Sequence, residues 1–222
     1  GTTGTAAAAG TAIPRATGRT GDIIYRRATE LAGNGIAAGS LAGSEGSGNT
    51  VITKTDGMWK RGAGSDVLRP KFSIMNPELT FTLPAYQTAC GAVDIAMHTI
   101  ERYFCPGDDT YLTDAIAEAV IKSVMKAGTD CLERPDDYVA RANMMWASSL
   151  AHNGLTQCGR SFQLTVHQFE HEVSGLYPKV AHGAGLAALW CSWARFVYSA
   201  NIPRWLQYAS RIWNIQRMTE KK

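Results

Sequence analysis

The stretch that decides the fold is YQTACGAVDIAMHTIERYF, residues 86–104. Large apolar residues recur in it every three or four positions, which predicts a helix with one apolar face. That face carries Val93, Met97, Ile100 and Phe104. Asp94 and His98 are four positions apart, so their side chains project from one side of the helix, a single turn apart. The sequence therefore predicts an amphipathic helix with a polar pair at the edge of its buried face.

The rest of the chain after Pro84 is also predicted to be helical. Apolar periodicity and breaking residues place five more helices at about 110–132, 135–151, 161–173, 182–199 and 204–217. In the second of these, Pro135 and two aspartates occupy the expected first turn. Residues 50–53 and 71–75 are short β-like runs bounded by turn residues. The predicted fold class is mostly α, with an all-α domain at residues 84–222.

Residues 1–83 are predicted to be an incomplete second domain. The first 48 residues hold 11 of the 22 glycines and no tryptophan, which leaves too little apolar surface for a core. We expect weak order in residues 1–40. The first methionine is Met58, so we expect a partial chain.

Composition excludes several classes of protein. The net charge is only +3 with dispersed basic residues, which argues against nucleic acid as a partner. The five cysteines form no CxxC pair, which is typical of a reducing, cytoplasmic compartment. The longest uncharged apolar run, residues 180–194, is shorter than the about 20 residues that span a bilayer. We therefore expect a cytoplasmic protein with no membrane partner.

A second group of histidines lies further along the chain. His167 and His171 repeat the four-residue spacing, and His182 follows a break at Gly175 and Pro178. A carboxylate with several imidazoles on rigid helices suits Zn²⁺ or Fe²⁺. A single Asp-x-x-x-His is also common as a local pair, and periodicity does not establish that the two groups meet.

Residues 167–171, HQFEH, also match the H-x-x-E-H pattern of inverted zinc metalloproteases. In that alternative His167 and His171 bind zinc and Glu170 activates water. The pattern needs a third ligand downstream, and Glu220 is the only acidic residue after His182. The protease alternative is therefore weak.

Two further polar residues receive no functional role from their positions. Glu101 shares the face of Asp94 and His98 one turn on, where we expect a solvated or salt-bridged carboxylate rather than a ligand. His152 ends a predicted helix, where a cation suits the helix dipole.

Four segments together resemble the iron-containing (group III) alcohol dehydrogenases, most closely their butanol dehydrogenase branch. The segments are NPELTFTLP at 76–84, GAVDIAMHTIE at 91–101, HQFEH at 167–171 and AHGAGLA at 181–187. The resemblance covers about residues 41–217. It implies the all-α metal-binding domain of the dehydroquinate synthase-like fold, with a remnant of the N-terminal α/β dinucleotide-binding domain.

The resemblance also implies a site and a reaction. The metal ligands would be Asp94, His98, His167 and His182, and His171 would be a non-ligand histidine beside nicotinamide and substrate. Fe²⁺ or Zn²⁺ would polarise the oxygen of a small alcohol or aldehyde while hydride passes to or from NAD or NADP. The full-length form would be a homodimer. The implied cofactor contacts are Ser44, Asn49, Val51 and Lys60.

Departures from the family pattern keep alternatives open. Ala42 replaces a threonine, the Gly-Gly-Gly-Ser pyrophosphate loop is absent, and the helices expected after Arg217 are missing. A catalytically inert metal-binding fragment and a glycerol dehydrogenase-like relative therefore remain as alternatives to an alcohol dehydrogenase.

Overall fold

The structure, a computed structural model, describes residues 36–38, 46–70, 72–107 and 109–215. Short strands precede Pro84 in this part of the chain, and helices follow it. The strands are β1 (Ile36–Ala38), β2 (Asn49–Lys54), β3 (Trp59–Gly64) and β4 (Phe72–Ile74). The α-helices are α1 (Ala85–Phe104), α2 (Tyr111–Glu133), α3 (Tyr138–His152), α4 (Thr165–Leu176), α5 (His182–Val197) and α6 (Ile202–Trp213).

The predicted mostly α fold is confirmed, and among the helices the differences lie at their ends. Helix α3 begins after Pro135 because the Asp137 side chain caps it and accepts a hydrogen bond from the Ala140 amide at 3.0 Å. Residues 198–201 form a 3₁₀ turn instead of continuing α5. Asn201 caps α6, which therefore begins two residues before the predicted Arg204.

The strands form two separate pairs. β2 and β3 make an antiparallel hairpin, and β1 pairs in parallel with β4. β2 and β4 fall where β-like runs are predicted, whereas β1 and β3 were missed. β3 reads WKRGAG and is mostly exposed, so it lacks the apolar alternation that marks a half-buried strand. β1 lies in the stretch that we expect to be weakly ordered, and residues 1–35 and 39–45 lie outside the described part.

Helix α1 is the centre of the packing because both of its sides are buried. Ile95 faces a core cluster shared with α2 and α3, while Met97, Ile100 and Tyr103 belong to a second cluster. That second cluster joins α1 to residues of α2, α4, α5 and α6: Ile121, Val166, Leu186 and Ile212. None of the described helices is long and apolar enough to cross a membrane.

A buried ionic network fixes the turn before α4. Asp114 of α2 accepts hydrogen bonds from Arg160, from Arg204 at 2.5 Å and from Gln207 at 2.8 Å. Burial alone would raise the pKa of Asp114, but the bonds from Gln207 and Arg204 outweigh it and lower that pKa. Arg160 also donates to the carbonyl of Arg102 at 3.0 Å. The end of α1 and the residues that lead into α4 are therefore held together.

The start of α5 lies directly against α1. A Cβ atom added at Gly183 would lie 2.0 Å from the carbonyl oxygen of Cys90 and 2.6 Å from its carbonyl carbon. Only glycine allows this approach, and Cys90 lies one helical turn before Asp94. The contact therefore sets how close His182, the first residue of α5, comes to Asp94.

We expect Gly183→Ala to destabilise the fold by about 1–3 kcal/mol, because the added methyl group meets backbone rather than a side chain that can move. Urea unfolding followed by circular dichroism measures the change. Ala188→Ser, which adds one atom at an exposed position of α5, is the matched control. Equal stability of Gly183→Ala and the parent protein would contradict the close approach of α5 to α1.

Candidate metal centre

One carboxylate oxygen lies at the centre of the site. Asp94 Oδ1 is 3.4 Å from His98 Nδ1, 3.3 Å from His167 Nε2 and 3.6 Å from His182 Nε2. Asp94 and His98 come from α1, His167 from the first turn of α4 and His182 from the first residue of α5. Asp94, His98 and His167 are buried, and His182 is half-buried. The structure thus brings the four predicted ligands together, and their ligand role stays a prediction.

The donor set fits a divalent transition metal. Metal–nitrogen bonds of about 2.0–2.1 Å in a tetrahedral site place neighbouring donors about 3.3 Å apart. The three separations from Asp94 Oδ1 are close to that value. Donor atoms of Asp94, His167 and His182 all lie within 4.8 Å of one another. His98 is not in this group; it contacts Asp94 Oδ1, and its ring centroid lies 4.3 Å from that of His167.

Burial keeps His98 in the form that a metal needs. It lowers the pKa of His98 well below its usual value, and the charges of His167, His152 and Arg102 lower it further. A neutral imidazole has a free lone pair, which is the form that binds a metal ion.

Glu101 holds His167 in position. Its Oε1 accepts a hydrogen bond from the Val166 amide at 2.6 Å, and its Oε2 accepts one from the His167 amide at 3.1 Å. The same oxygen contacts His167 Nδ1, which leaves Nε2 facing Asp94. Burial alone would lower the pKa of His167, but its bonds to the Asp94 and Glu101 carboxylates outweigh burial and raise it.

The expectation of a solvated or salt-bridged Glu101 is met by its ion pair with His167, and the side chain is buried rather than solvated, at 3% exposed. Its role was missed although its spacing of seven from Asp94 places both on one helix face. That spacing was the available signal.

His152 is a second residue that sequence reasoning missed. Its ring centroid lies 4.1 Å from that of His98, and Arg102 Nη2 donates to its Nδ1 at 2.9 Å. The side-chain amide nitrogen of Asn49, Nδ2, lies 3.1 Å from Nε2 of His152. Burial, followed by the charge of Arg102, lowers the pKa of His152 to about 3. The expectation of a cation at this helix end is wrong, because His152 is half-buried beside the Arg102 guanidinium instead of facing water.

Lys60 of β3 contacts His182 at Nδ1, the ring nitrogen opposite the one that faces Asp94. Its Nζ lies 3.1 Å from Glu170 Oε2, 3.0 Å from Ser174 Oγ and 3.0 Å from His182 Nδ1. Glu170 Oε2 also contacts His182 Nδ1, and Glu170 is fully buried. Burial alone would raise the pKa of Glu170, but the hydrogen bond and charge of His182 outweigh it and lower that pKa.

His171 is half-buried next to the centre, with its ring centroid 5.4 Å from that of His182. Burial, followed by the charge of Lys60, lowers the pKa of His171 to about 4, so the ring is neutral near pH 7. His171 forms a donor group with Glu170 and His182; this group shares His182 with the group of Asp94 and His167, and neither group contains both His167 and His171. The metalloprotease alternative needs both histidines of HQFEH on one metal and Glu170 available to water, and this geometry argues against it.

The structure describes three of the four residues predicted to contact a cofactor. Ser44 lies outside the described residues. Val51 is exposed on β2. Asn49 and Lys60 contact His152, Glu170 and His182 in this structure. Contacts of these four residues with a cofactor stay predictions.

Comparison with known proteins gives one family. Residues 88–222 match the model described as Fe-containing alcohol dehydrogenase family, C-terminal. The chain is 41% identical over 179 residues to NADH-dependent butanol dehydrogenase A of Clostridium acetobutylicum, covering 80% of this chain and 46% of that protein. It is 34% identical over 177 residues to the NADPH-dependent aldehyde reductase YqhD of Escherichia coli, covering 78% of this chain and 44% of that protein.

Among solved structures, NADH-dependent butanol dehydrogenase A of Thermotoga maritima aligns with a TM-score of 0.77 at 37% identity. The alignment covers 84% of this chain and 47% of that one. The chain thus spans about half the length of the relatives that it matches. With the buried carboxylate and its three imidazoles, these matches show that the chain belongs to the iron-containing alcohol dehydrogenase family.

Proposed function

We propose that this chain is the metal-binding part of an NAD(P)-dependent alcohol dehydrogenase or aldehyde reductase. In this proposal Asp94, His98, His167 and His182 hold one Fe²⁺ or Zn²⁺ ion. The observation that carries it is the position of three imidazole nitrogens within 3.6 Å of one buried carboxylate oxygen. The names of the relatives, a butanol dehydrogenase and an aldehyde reductase, support small alcohols and aldehydes as the substrate class.

In the proposed chemistry, the metal and the nicotinamide cofactor have one role and the side chains have another. The cation supplies Lewis acidity that lowers the pKa of an alcohol, and the nicotinamide carries the hydride. Asp94 offsets part of the positive charge, and Glu101 fixes the ring orientation of His167. His171, one turn from His167 and half-buried, is placed to hold the substrate oxygen or to pass its proton at a ring nitrogen.

We also propose that the domain boundary lies near Pro84. The parallel pairing of β1 with β4 supports an α/β origin for residues 1–83, because parallel pairs are typical of α/β sheets. In that arrangement Ser44, Asn49, Val51 and Lys60 belong to the cofactor side of the cleft.

A second candidate function is a metal-binding domain without turnover. It would describe these 222 residues taken alone, because they span about half the length of the relatives that they match. Oxidation of NADH and NADPH with butyraldehyde by the metal-loaded protein separates the two candidates, with Asp94→Asn as the inactive control. Turnover by these 222 residues would eliminate the second candidate, and metal binding without turnover would favour it.

We expect His98→Ala to lose its metal, because the variant leaves a buried cation with one donor fewer. Elemental analysis after dialysis measures the metal content per chain. Gln87→Ala, at an exposed position of α1, is the matched control and should keep a full complement. Unchanged metal content in His98→Ala would count heavily against the proposed ligand set.

We expect Glu101→Gln to weaken metal affinity about 10–100-fold, since the loss of a carboxylate that orients a ligating histidine has effects of that size. Competition with a chromophoric chelator measures the affinity. Glu172→Gln removes an exposed charge from α4 and should leave the affinity as in the parent protein. An equal affinity of Glu101→Gln and Glu172→Gln would show that Glu101 does not act on the metal centre.

We expect His171→Gln to keep its metal and, in preparations that turn over, to lower the rate about 10²–10⁴-fold, the range of a general acid–base group. Steady-state kinetics and elemental analysis on the same samples separate the two effects. Loss of metal together with rate would instead make His171 a structural residue of the centre.

A further inference from the structure

We propose that Lys60 is a positioning residue of the metal centre, which acts through Glu170 on His182. The proposal rests on the metal-binding function above and extends it to a residue outside the all-α domain. Lys60 lies on β3 of the hairpin, whereas Glu170 and His182 lie on α4 and α5.

The first step is the charge balance of Glu170. Its side chain is fully buried, and a buried carboxylate is costly unless it is paired and hydrogen-bonded. Lys60 Nζ lies 3.1 Å from Glu170 Oε2, and Ser174 Oγ donates to Oε1 at 2.6 Å. Among the described Lys and Arg side chains, Lys60 is the one that forms a salt bridge with Glu170. Lys60 therefore stabilises the ionised carboxylate next to His182.

The second step is the tautomer of His182. The Nδ1 of His182 contacts both Glu170 Oε2 and Lys60 Nζ. When Nδ1–H donates to Glu170, Nε2 has a free lone pair that faces Asp94 at 3.6 Å. When Nδ1 accepts from Lys60 instead, Nε2 carries the proton and does not bind a metal ion. A carboxylate held ionised at this position therefore selects the tautomer that binds metal, as Glu101 does for His167.

The third step concerns the donor group of Glu170, His171 and His182. Their donor atoms lie within 4.8 Å of one another, which is close enough for a cation. The ammonium of Lys60 already lies 3.1 Å from Glu170 Oε2, the carboxylate oxygen of this group. Lys60 thus supplies the positive charge that this group needs and leaves one cation at Asp94.

The hairpin is held close enough for this role. A Cβ atom added at Gly175 of α4 would lie 2.6 Å from the carbonyl oxygen of Met58, two residues before Lys60. The turn of the hairpin therefore packs directly on α4, and the Lys60 side chain is only 13% exposed. Lys60 reaches Glu170 and Ser174 from a fixed backbone position.

The experiment is a Co²⁺ titration of the purified, metal-free 222-residue protein, followed by visible absorption and by chelator competition. The variants are Lys60→Ala, Glu170→Gln and the double variant. Lys54→Ala is the matched control, because it removes an exposed lysine from the same hairpin. The parent protein and Asp94→Asn are titrated first. If the parent protein binds no Co²⁺ in an Asp94-dependent way, the proposed function fails before Lys60 is tested.

We expect Lys60→Ala and Glu170→Gln each to weaken Co²⁺ binding about 10–100-fold and to alter the visible spectrum. The double variant should bind no more weakly than the weaker single variant, because both residues act through one path to His182. Ethylammonium should restore binding to Lys60→Ala, and Lys54→Ala should bind like the parent protein.

Binding by Lys60→Ala that matches the parent protein, or an additive double variant, would overturn the proposal while leaving the ligand set intact. If Lys60→Ala does not fold by circular dichroism, Lys60→Gln is judged by the same criteria. Lys60→Arg, which keeps the charge, should retain more affinity than either substitution.

Discussion

The buried carboxylate of Asp94 is the constraint on which the rest of the site depends. Its side chain is almost removed from water, and an unpaired carboxylate in such a position is costly. The surrounding imidazoles differ: burial favours neutral His98, whereas at His167 burial is outweighed by the Asp94 and Glu101 carboxylates, which raise its pKa. In the proposed function, a divalent cation between these groups supplies positive charge and uses the lone pairs that neutral imidazoles offer. The same electrostatic balance therefore determines both the stability of this region and its affinity for metal.

The packing of the helices fixes the positions of these charged groups. α1 is buried on both sides, so Asp94 has a fixed position, and Gly183 lets α5 approach α1 at Cys90. The outer nitrogens of two histidines meet carboxylates, Glu101 for His167 and Glu170 for His182. These carboxylates add two further negative charges near the centre. Lys60 offsets the charge of Glu170, and the backbone amides at the start of α4 donate hydrogen bonds to Glu101.

The sequence predicted what local periodicity encodes. Helices have a repeat that is visible within a few turns, so their number and the shared face of Asp94 and His98 could be predicted. Glu101, His152 and β3 were missed for a different reason. The burial of Glu101 depends on contact with residues 65 or 66 positions away, and that of His152 on Arg102, 50 positions away. The spacing of Glu101 from Asp94 shows that they share a helix face, but no local pattern shows which distant residues pack against it. The grouping of the four predicted ligands came from resemblance, because spacing alone did not show that they meet.

The hairpin connects the cofactor side of the proposed cleft to the metal side. Lys60 contacts Glu170 and His182, and Asn49 contacts His152, whose ring lies tilted against that of His98. Arg69 donates to the carbonyls of Gly46 at 2.6 Å and Asn153 at 3.1 Å, which joins the start of the hairpin to the end of α3. A ligand that displaces the hairpin must therefore also disturb residues that orient His98 and His182. In the proposed function, these direct contacts of the hairpin would couple cofactor binding to metal geometry.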